Sequence, residues 1–208
     1  MQIKTERLVL REYVAEDWSV LADYQSDPRY QCFEPWNSGL MFDEFVQGLV
    51  ARFVYWQSQK PRYRFQLAIC LPDADEPIGS CGIRVNEPGS RSAELGYELA
   101  PAYWGQGYAT EAARAMLSWA FSRRQAGGLG LREVHAEVVD GNEASCRVLA
   151  RLGMTLRGRR ARYYWMHPGN RDSWRDALVY GILVPVWERS VSAGRHPGLD
   201  ACRIALDE

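Results

Sequence analysis

Two glycines one residue apart mark the place where this chain is best equipped to grip an anion. Gly105 and Gly107 stand in Tyr103-Trp104-Gly105-Gln106-Gly107-Tyr108-Ala109-Thr110, between a strand pattern and a helix pattern. Glycine lets the chain turn tightly and approach a ligand with no β-carbon in the way. The helix that follows begins with unpaired N–H groups and the positive end of its dipole. Together these make a socket for a pyrophosphate. The Gly-Lys-Ser/Thr of a P-loop is missing, the segment does not follow the first strand, and no convincing G-x-G-x-x-G is present. Mononucleotide and dinucleotide readings weaken accordingly. The same two glycines would also serve a plain tight connection.

Groups able to move protons lie on either side of that segment. On the preceding strand Glu94 and Glu98 share one face with Gly96, while Leu95, Tyr97 and Leu99 share the other. Either glutamate can act as a base, and either can instead lie on a solvated face or pair with Arg84 or Arg132. His135 carries an imidazole, the side chain that changes charge near neutral pH, but its phase does not settle which face it takes. Ser145 stands three residues after Asn142 at the start of a helix pattern. Asn142 is a ready helix cap, and Ser145 can be a local hydrogen-bonding residue or a proton donor. No G-x-S-x-G elbow surrounds it, which argues against a serine nucleophile.

The elements that must position these groups follow from periodicity. Residues 3–11 alternate as a strand, and 16–24 suggest a short helix. Residues 27–39 read as loop, punctuated by Pro28, Pro35 and Gly39. Phe42, Phe45, Val46, Leu49, Val50 and Phe53 predict an amphipathic helix over 42–56. Strands follow at 65–71, 77–85 and 93–99, then a helix over 107–123, a strand over 131–139 and a helix over 143–152 closed by Gly153. Two strands, 154–160 and 174–184, complete the pattern, joined through His167-Pro168-Gly169-Asn170. Beyond Trp187 periodicity fades and a frayed tail is expected. The division is therefore a single domain over 1–189 and a flexible tail over 190–208. The order describes a mixed α/β domain with helices covering the sheet, not a regularly alternating nucleotide fold.

Composition narrows the function classes. Charged residues make up 25% of the chain and hydrophobic ones 47%, a globular mixture. A formal net charge of −1 disfavours a broad positive field for nucleic acid. No run approaches the ~18 apolar residues of a membrane span. Cys32, Cys70, Cys81, Cys146 and Cys202 show neither a C-x-x-C pair nor zinc-ligand spacing, so no metal site is expected. Reduced thiols in a cytoplasmic protein fit best.

The segment Trp104–Ala112 resembles the acyl-CoA pyrophosphate loop of the GCN5-related N-acetyltransferases (GNAT), specifically the branch containing the ribosomal-protein alanine N-acetyltransferases. The ordered set Thr5-Glu6-Arg7-Leu8-Val9-Leu10-Arg11, Glu94-Leu95-Gly96-Tyr97, Asn142-Glu143-Ala144-Ser145, Leu152-Gly153 and Trp174-Arg175-Asp176-Ala177-Leu178-Val179-Tyr180 extends the resemblance over residues 2–188. It implies the acyl-CoA N-acyltransferase fold: a mixed, mostly antiparallel sheet with splayed central strands and helices on both faces. It implies acetyl-CoA as donor and a primary amine as acceptor, either a protein N-terminus or a small molecule. Leu99, Ala100, Trp104, Gly105, Gln106, Gly107, Tyr108, Ala109, Thr110, Asn142 and Ser145 would then hold the cofactor. Glu94 would be the base acting through water, with Glu98 the alternative, and Ser145 would return a proton to the thiolate. A backbone N–H near Leu99 would steady the oxyanion. The resemblance alone implies a homodimer.

Relatives often place Glu before the glycine of the strand after Leu152-Gly153, whereas here Arg157 precedes Gly158. Arg157, Arg159, Arg160 and Arg162 would favour a less basic acceptor, touch the cofactor 3′-phosphate, or solubilise a strand. The acceptor pocket is expected from Tyr30 to Trp36, Phe53 to Trp56 and Tyr163 to Trp174. The competing readings are a small-molecule detoxifying acetyltransferase and a non-catalytic acyl-CoA-binding domain.

Overall fold

The computed structural model describes residues 1–33, 42–166, 174–196 and 203–205. The chain opens with the antiparallel pair β1 (Gln2–Lys4) and β2 (Val9–Glu12). The single strand predicted over 3–11 is thus broken in two. Thr5 causes the break: its N–H donates to the Leu8 C=O at 2.9 Å, and its hydroxyl accepts from the Leu8 N–H at 3.0 Å. That turn frees Arg7 to leave the sheet.

Next come α1 (Trp18–Gln25) and α2 (Pro28–Gln31). The second lies where the sequence predicts loop. Pro28 is pre-set for a first helical turn and the Asp27 carboxylate accepts the Arg29 N–H at 2.8 Å. The rest of the predicted loop, residues 34–39, lies outside the described residues. Helix α3 (Phe42–Gln57) buries Val46, Val50, Phe53 and Trp56 along one stripe.

The antiparallel strands β3 (Arg64–Cys70), β4 (Pro77–Val85) and β5 (Ser92–Leu99) form the centre. After α4 (Tyr108–Phe121) comes β6 (Glu133–Val139), then α5 (Glu143–Arg151). The hairpin of β7 (Thr155–Trp165) and β8 (Trp174–Leu183) follows. Its first strand outruns the prediction by five residues, with irregular pairing after Leu156 and after Arg160. After β8 the described residues carry α6 (Val184–Ser192) and β9 (Arg203–Ala205), the latter paired with β1. Trp187 explains part of this order: it is buried, lies 6.1 Å from the Phe121 ring and stacks on His196 at 4.4 Å.

All these strands join one sheet in the order β7-β8-β6-β5-β4-β3-β2-β1-β9. Both faces of its centre are covered, which is why β3 is buried along nearly its whole length. On one face Phe65, Leu67, Ile69, Leu95 and Leu99 pack against α4 and α5. On the other, Ala68 and Cys70 pack with Tyr13, Val46, Val50 and Phe53 beneath α1 and α3. The small residues Ala112, Ala113 and Ala120 let α4 lie close to the sheet, and Trp119 fills the space beside Phe65 at 4.7 Å between rings.

One interruption in the sheet decides the rest. Strands β5 and β6 run parallel but pair only at Ser92/Glu133, Ala93/Val134 and Glu94/His135. Beyond that point they part, while β5 stays bonded to β4 as far as Leu99. Among the described residues no helix is long and apolar enough to cross a membrane.

Candidate active site

A cleft of about 470 Å³ opens where β5 and β6 part. One wall is the glycine segment and the first turn of α4. Gly105 and Gly107 have φ of +78° and +85°, a region that side chains with a β-carbon disfavour. No atom lies within 4 Å of where a β-carbon of Gly105 would be, so this backbone faces open space. The N–H groups of Tyr108, Ala109 and Thr110, which precede the first hydrogen bond of α4, have no partners within that helix. The Thr110 hydroxyl is buried, belongs to a residue lining the cleft, and has no hydrogen-bond partner among the described residues. Unpaired donors, a helix N-terminus and a bare backbone fit a diphosphate.

A second wall is α5. The Asn142 side-chain oxygen caps this helix by accepting the Ser145 N–H at 3.0 Å. Capping uses only the oxygen, so the amide NH2 stays available to a ligand. The Ser145 hydroxyl lies 2.8 Å from the Tyr97 hydroxyl, which also donates to the Ser145 carbonyl at 3.1 Å. Burial pushes the Tyr97 phenol well above the usual tyrosine range, against the opposing pull of its Ser145 hydrogen bond. Tyr97 therefore stays protonated, a neutral partner for Ser145. One turn further along, Arg147 and Arg151 also line the cleft.

The opposite side of β5 forms the third wall. Glu98 lines it together with Tyr30, Phe33 and Tyr103. Its carboxylate accepts from the Tyr24 hydroxyl at 2.8 Å, from the Gln25 amide at 3.2 Å and from the Tyr30 hydroxyl. These donors come from α1 and α2, so helices far away in sequence set the carboxylate's direction. At the rim, the Trp104 indole donates to the Leu99 C=O at 2.7 Å. The Ala100 N–H is taken by the Ile78 C=O at 2.9 Å. Strand alternation then directs the Leu99 N–H away from β4, into the gap.

Of the residues singled out from sequence, the structure gathers Glu98, Leu99, Trp104, Gly105, Gly107, Tyr108, Ala109, Thr110, Asn142 and Ser145 around one cleft. Ala100 and Gln106 are not in its lining: Ala100 is buried under α1 and α3, and Gln106 turns its amide to the Ala102 C=O. Glu94 is not there either. It belongs to the paired end of β5, opposite His135, with Arg84 at 3.7 Å. The alternative of an Arg84 partner is the one the structure realises.

The arginine strand also has local partners. Arg159 bonds Asp140 and Asp176, and Arg160 bonds Glu137. Arg162 stacks over Trp174 at 5.8 Å, and Arg157 covers Gly181. None of the four lines the cleft. Of the aromatic acceptor candidates, Tyr30 and Phe33 line it, Phe53 and Trp56 are core, and Trp36 lies outside the described residues.

Sequence reasoning missed three participants. Tyr97 has the phase of the core residues Leu95 and Leu99, so alternation hid it. Arg147 and Arg151 repeat at helical spacing with Ala144 and Val148, a face legible once the helix is placed.

Residues 7–155 match the sequence profile described as Acetyltransferase (GNAT) domain. The chain is 30% identical over 157 residues to the uncharacterised N-acetyltransferase p20 of Bacillus licheniformis, covering 74% of this chain and 82% of that one. It is 28% identical over 192 residues to the ribosomal protein uS5-alanine N-acetyltransferase of Escherichia coli, covering 90% and 93%. Mycobacterium smegmatis RimJ, solved in complex with CoA-disulfide, superposes with a TM-score of 0.72 at 24% identity, over 94% of this chain and 95% of that one. With a profile match across well over half its length, the chain belongs to the GNAT acetyltransferases, enzymes that move an acetyl group from acetyl-CoA to an amine.

Proposed function

We propose that this protein acetylates the α-amine of a protein N-terminus, with Glu98 as base and Ser145 as proton donor. The observation that carries this reading is the parted pair β5/β6, which puts Ser145 on one side of the cleft and Glu98 on the other. Acetyl-CoA supplies the activated acyl group as a thioester. The N–H groups around Gly105–Thr110 and the Thr110 hydroxyl hold its diphosphate, and Arg147 and Arg151 add positive charge along the same groove. The Leu99 N–H donates to the carbonyl oxygen as negative charge develops there.

Proton handling divides between the two sides. The amine must be neutral to attack, so Glu98 accepts a proton from the incoming ammonium, directly or through one water. The new C–N bond forms as the C–S bond breaks, and Ser145 gives its hydroxyl proton to the departing sulfur. Tyr97, held protonated by burial, orients the Ser145 hydroxyl, whose lost proton is restored from water before the next turnover. An α-amine, with a pKa of about 7.7–8.0, asks little of such a base, whereas a lysine amine near 10.4 asks far more. The likeness to the Escherichia coli uS5-alanine enzyme supports the same acceptor class. Reduced thiols and a cytoplasmic setting suit it too.

The test is acetyl transfer to a panel of peptides with free or blocked N-termini, with lysine peptides and small amines as controls, read by mass spectrometry. Transfer confined to free N-termini is expected. Transfer to small amines alone would overturn the acceptor class. No transfer despite acetyl-CoA binding would favour a binding domain.

A further inference from the structure

A carboxylate stands just behind the phosphate socket, outside the lining of the cleft but on the same first turn of α4. Glu111 stands in the first turn of α4, its N–H bonded to the Gly107 C=O at 3.0 Å. The positive end of a helix dipole serves a diphosphate best when no other anion competes for it. Here one is built in, and it is only 14% exposed.

Arg7 answers it. The Arg7 Nε donates to Glu111 Oε2 at 2.7 Å, and NH2 reaches the same oxygen at 2.7 Å. The Arg7 backbone N–H and the Thr5 hydroxyl donate to Oε1 at 2.9 and 2.7 Å. Burial pushes the Glu111 carboxyl up, but the hydrogen bonds from Thr5 and Arg7 outweigh it and hold the group below the usual glutamate range. A third guanidinium nitrogen, NH1, donates to the Gln106 C=O at 3.1 Å, and the guanidinium lies over the Tyr108 ring at 4.8 Å. Arg7 NH2 would be 3.4 Å from a β-carbon on Gly107. One side chain from the turn after β1 thus ties down the glycine segment and cancels the charge beneath it.

We propose that Arg7 is a positioning residue for the diphosphate of acetyl-CoA, acting chiefly by neutralising Glu111. The inference rests on the reading that the glycine segment holds that diphosphate. It explains why the chain breaks its first strand at Thr5: the turn sends Arg7 out of the sheet to the socket. Side-chain exposure of 46% leaves the guanidinium at the rim, where its positive charge still reaches a bound anion.

The experiment measures CoA binding by calorimetry and steady-state kinetics with acetyl-CoA. Arg7→Met is expected to weaken CoA about tenfold, from an uncompensated carboxylate near the anion. The loss should show in KM for acetyl-CoA rather than in kcat. Adding Glu111→Gln to Arg7→Met should bring affinity back to within about threefold of wild type, because the competing charge is gone. Should Arg7→Met not fold, Arg7→Gln replaces it with the same expected loss. Unchanged CoA affinity in the folded single variant overturns the proposal. Failure of Glu111→Gln to restore affinity also overturns it, since a purely architectural role for Arg7 would not be repaired by removing a second polar partner. Absence of CoA binding by the wild-type protein is a distinct outcome: it defeats the cofactor reading itself, and this inference with it.

Discussion

The two ends of β5 carry the same residue type on the same face and put it to different use. At Ser92–Glu94 the strand is bonded on both sides, and Glu94 faces Arg84 across a closed sheet. Four residues on, β6 has swung away, and Glu98 looks into a cleft with a bare loop and a serine beyond it. A pleated strand repeats its chemistry every two residues, so nothing local separates the two glutamates. What separates them is whether the neighbouring strand is present. Parting β5 from β6 turns a face closed by its neighbour into the wall of a cleft.

Four variants sharpen or break that contrast. The largest effect is expected at the socket: Gly107→Asp should weaken acetyl-CoA by something on the order of a thousandfold, since it adds an anion and bulk where the diphosphate lies. Unchanged affinity in a folded variant, measured by calorimetry, would move the cofactor elsewhere. Glu98→Gln keeps the shape and should lower kcat about 100-fold, the usual worth of a positioned base. A wild-type rate would return the role to another group.

Ser145→Ala should slow turnover about tenfold with little change in acetyl-CoA affinity. Equal turnover in rapid-mixing assays would remove it from the proton path. The smallest effect belongs to the closed end. Glu94→Gln disturbs one half-exposed ion pair, so both activity and stability should stay within about twofold and 1 kcal/mol. A loss as large as that of Glu98→Gln would erase the difference between the two ends.

Different parts of the molecule were unequally legible beforehand. The wall formed by Gly105–Thr110 and Asn142–Ser145 could be read directly, because turn glycines, caps and helix starts are decided by neighbours in the chain. From sequence Glu98 is only an alternative to Glu94, since its place depends on Tyr24, Gln25 and Tyr30 arriving from more than sixty residues away. Tyr97 shares the alternation of core residues and gave no separate signal. The strand break at Thr5 was hidden by a hydrophobic pattern that continues across it. α2 was hidden in turn-forming residues that also start helices.

The helices α1, α3, α4 and α5, the central strands β3 to β6, the turn at Gly105 and Gly107 and the absence of a nucleotide-type alternation were determined by the sequence alone, because periodicity and backbone preference act over a few residues. The order of strands in the sheet, the point where β5 and β6 part, which of the two glutamates lines the cleft and the clamp of Arg7 on Glu111 were decided only by the tertiary structure. Those features bring together groups whose separation along the chain exceeds any local pattern, and packing alone selects which of them meet.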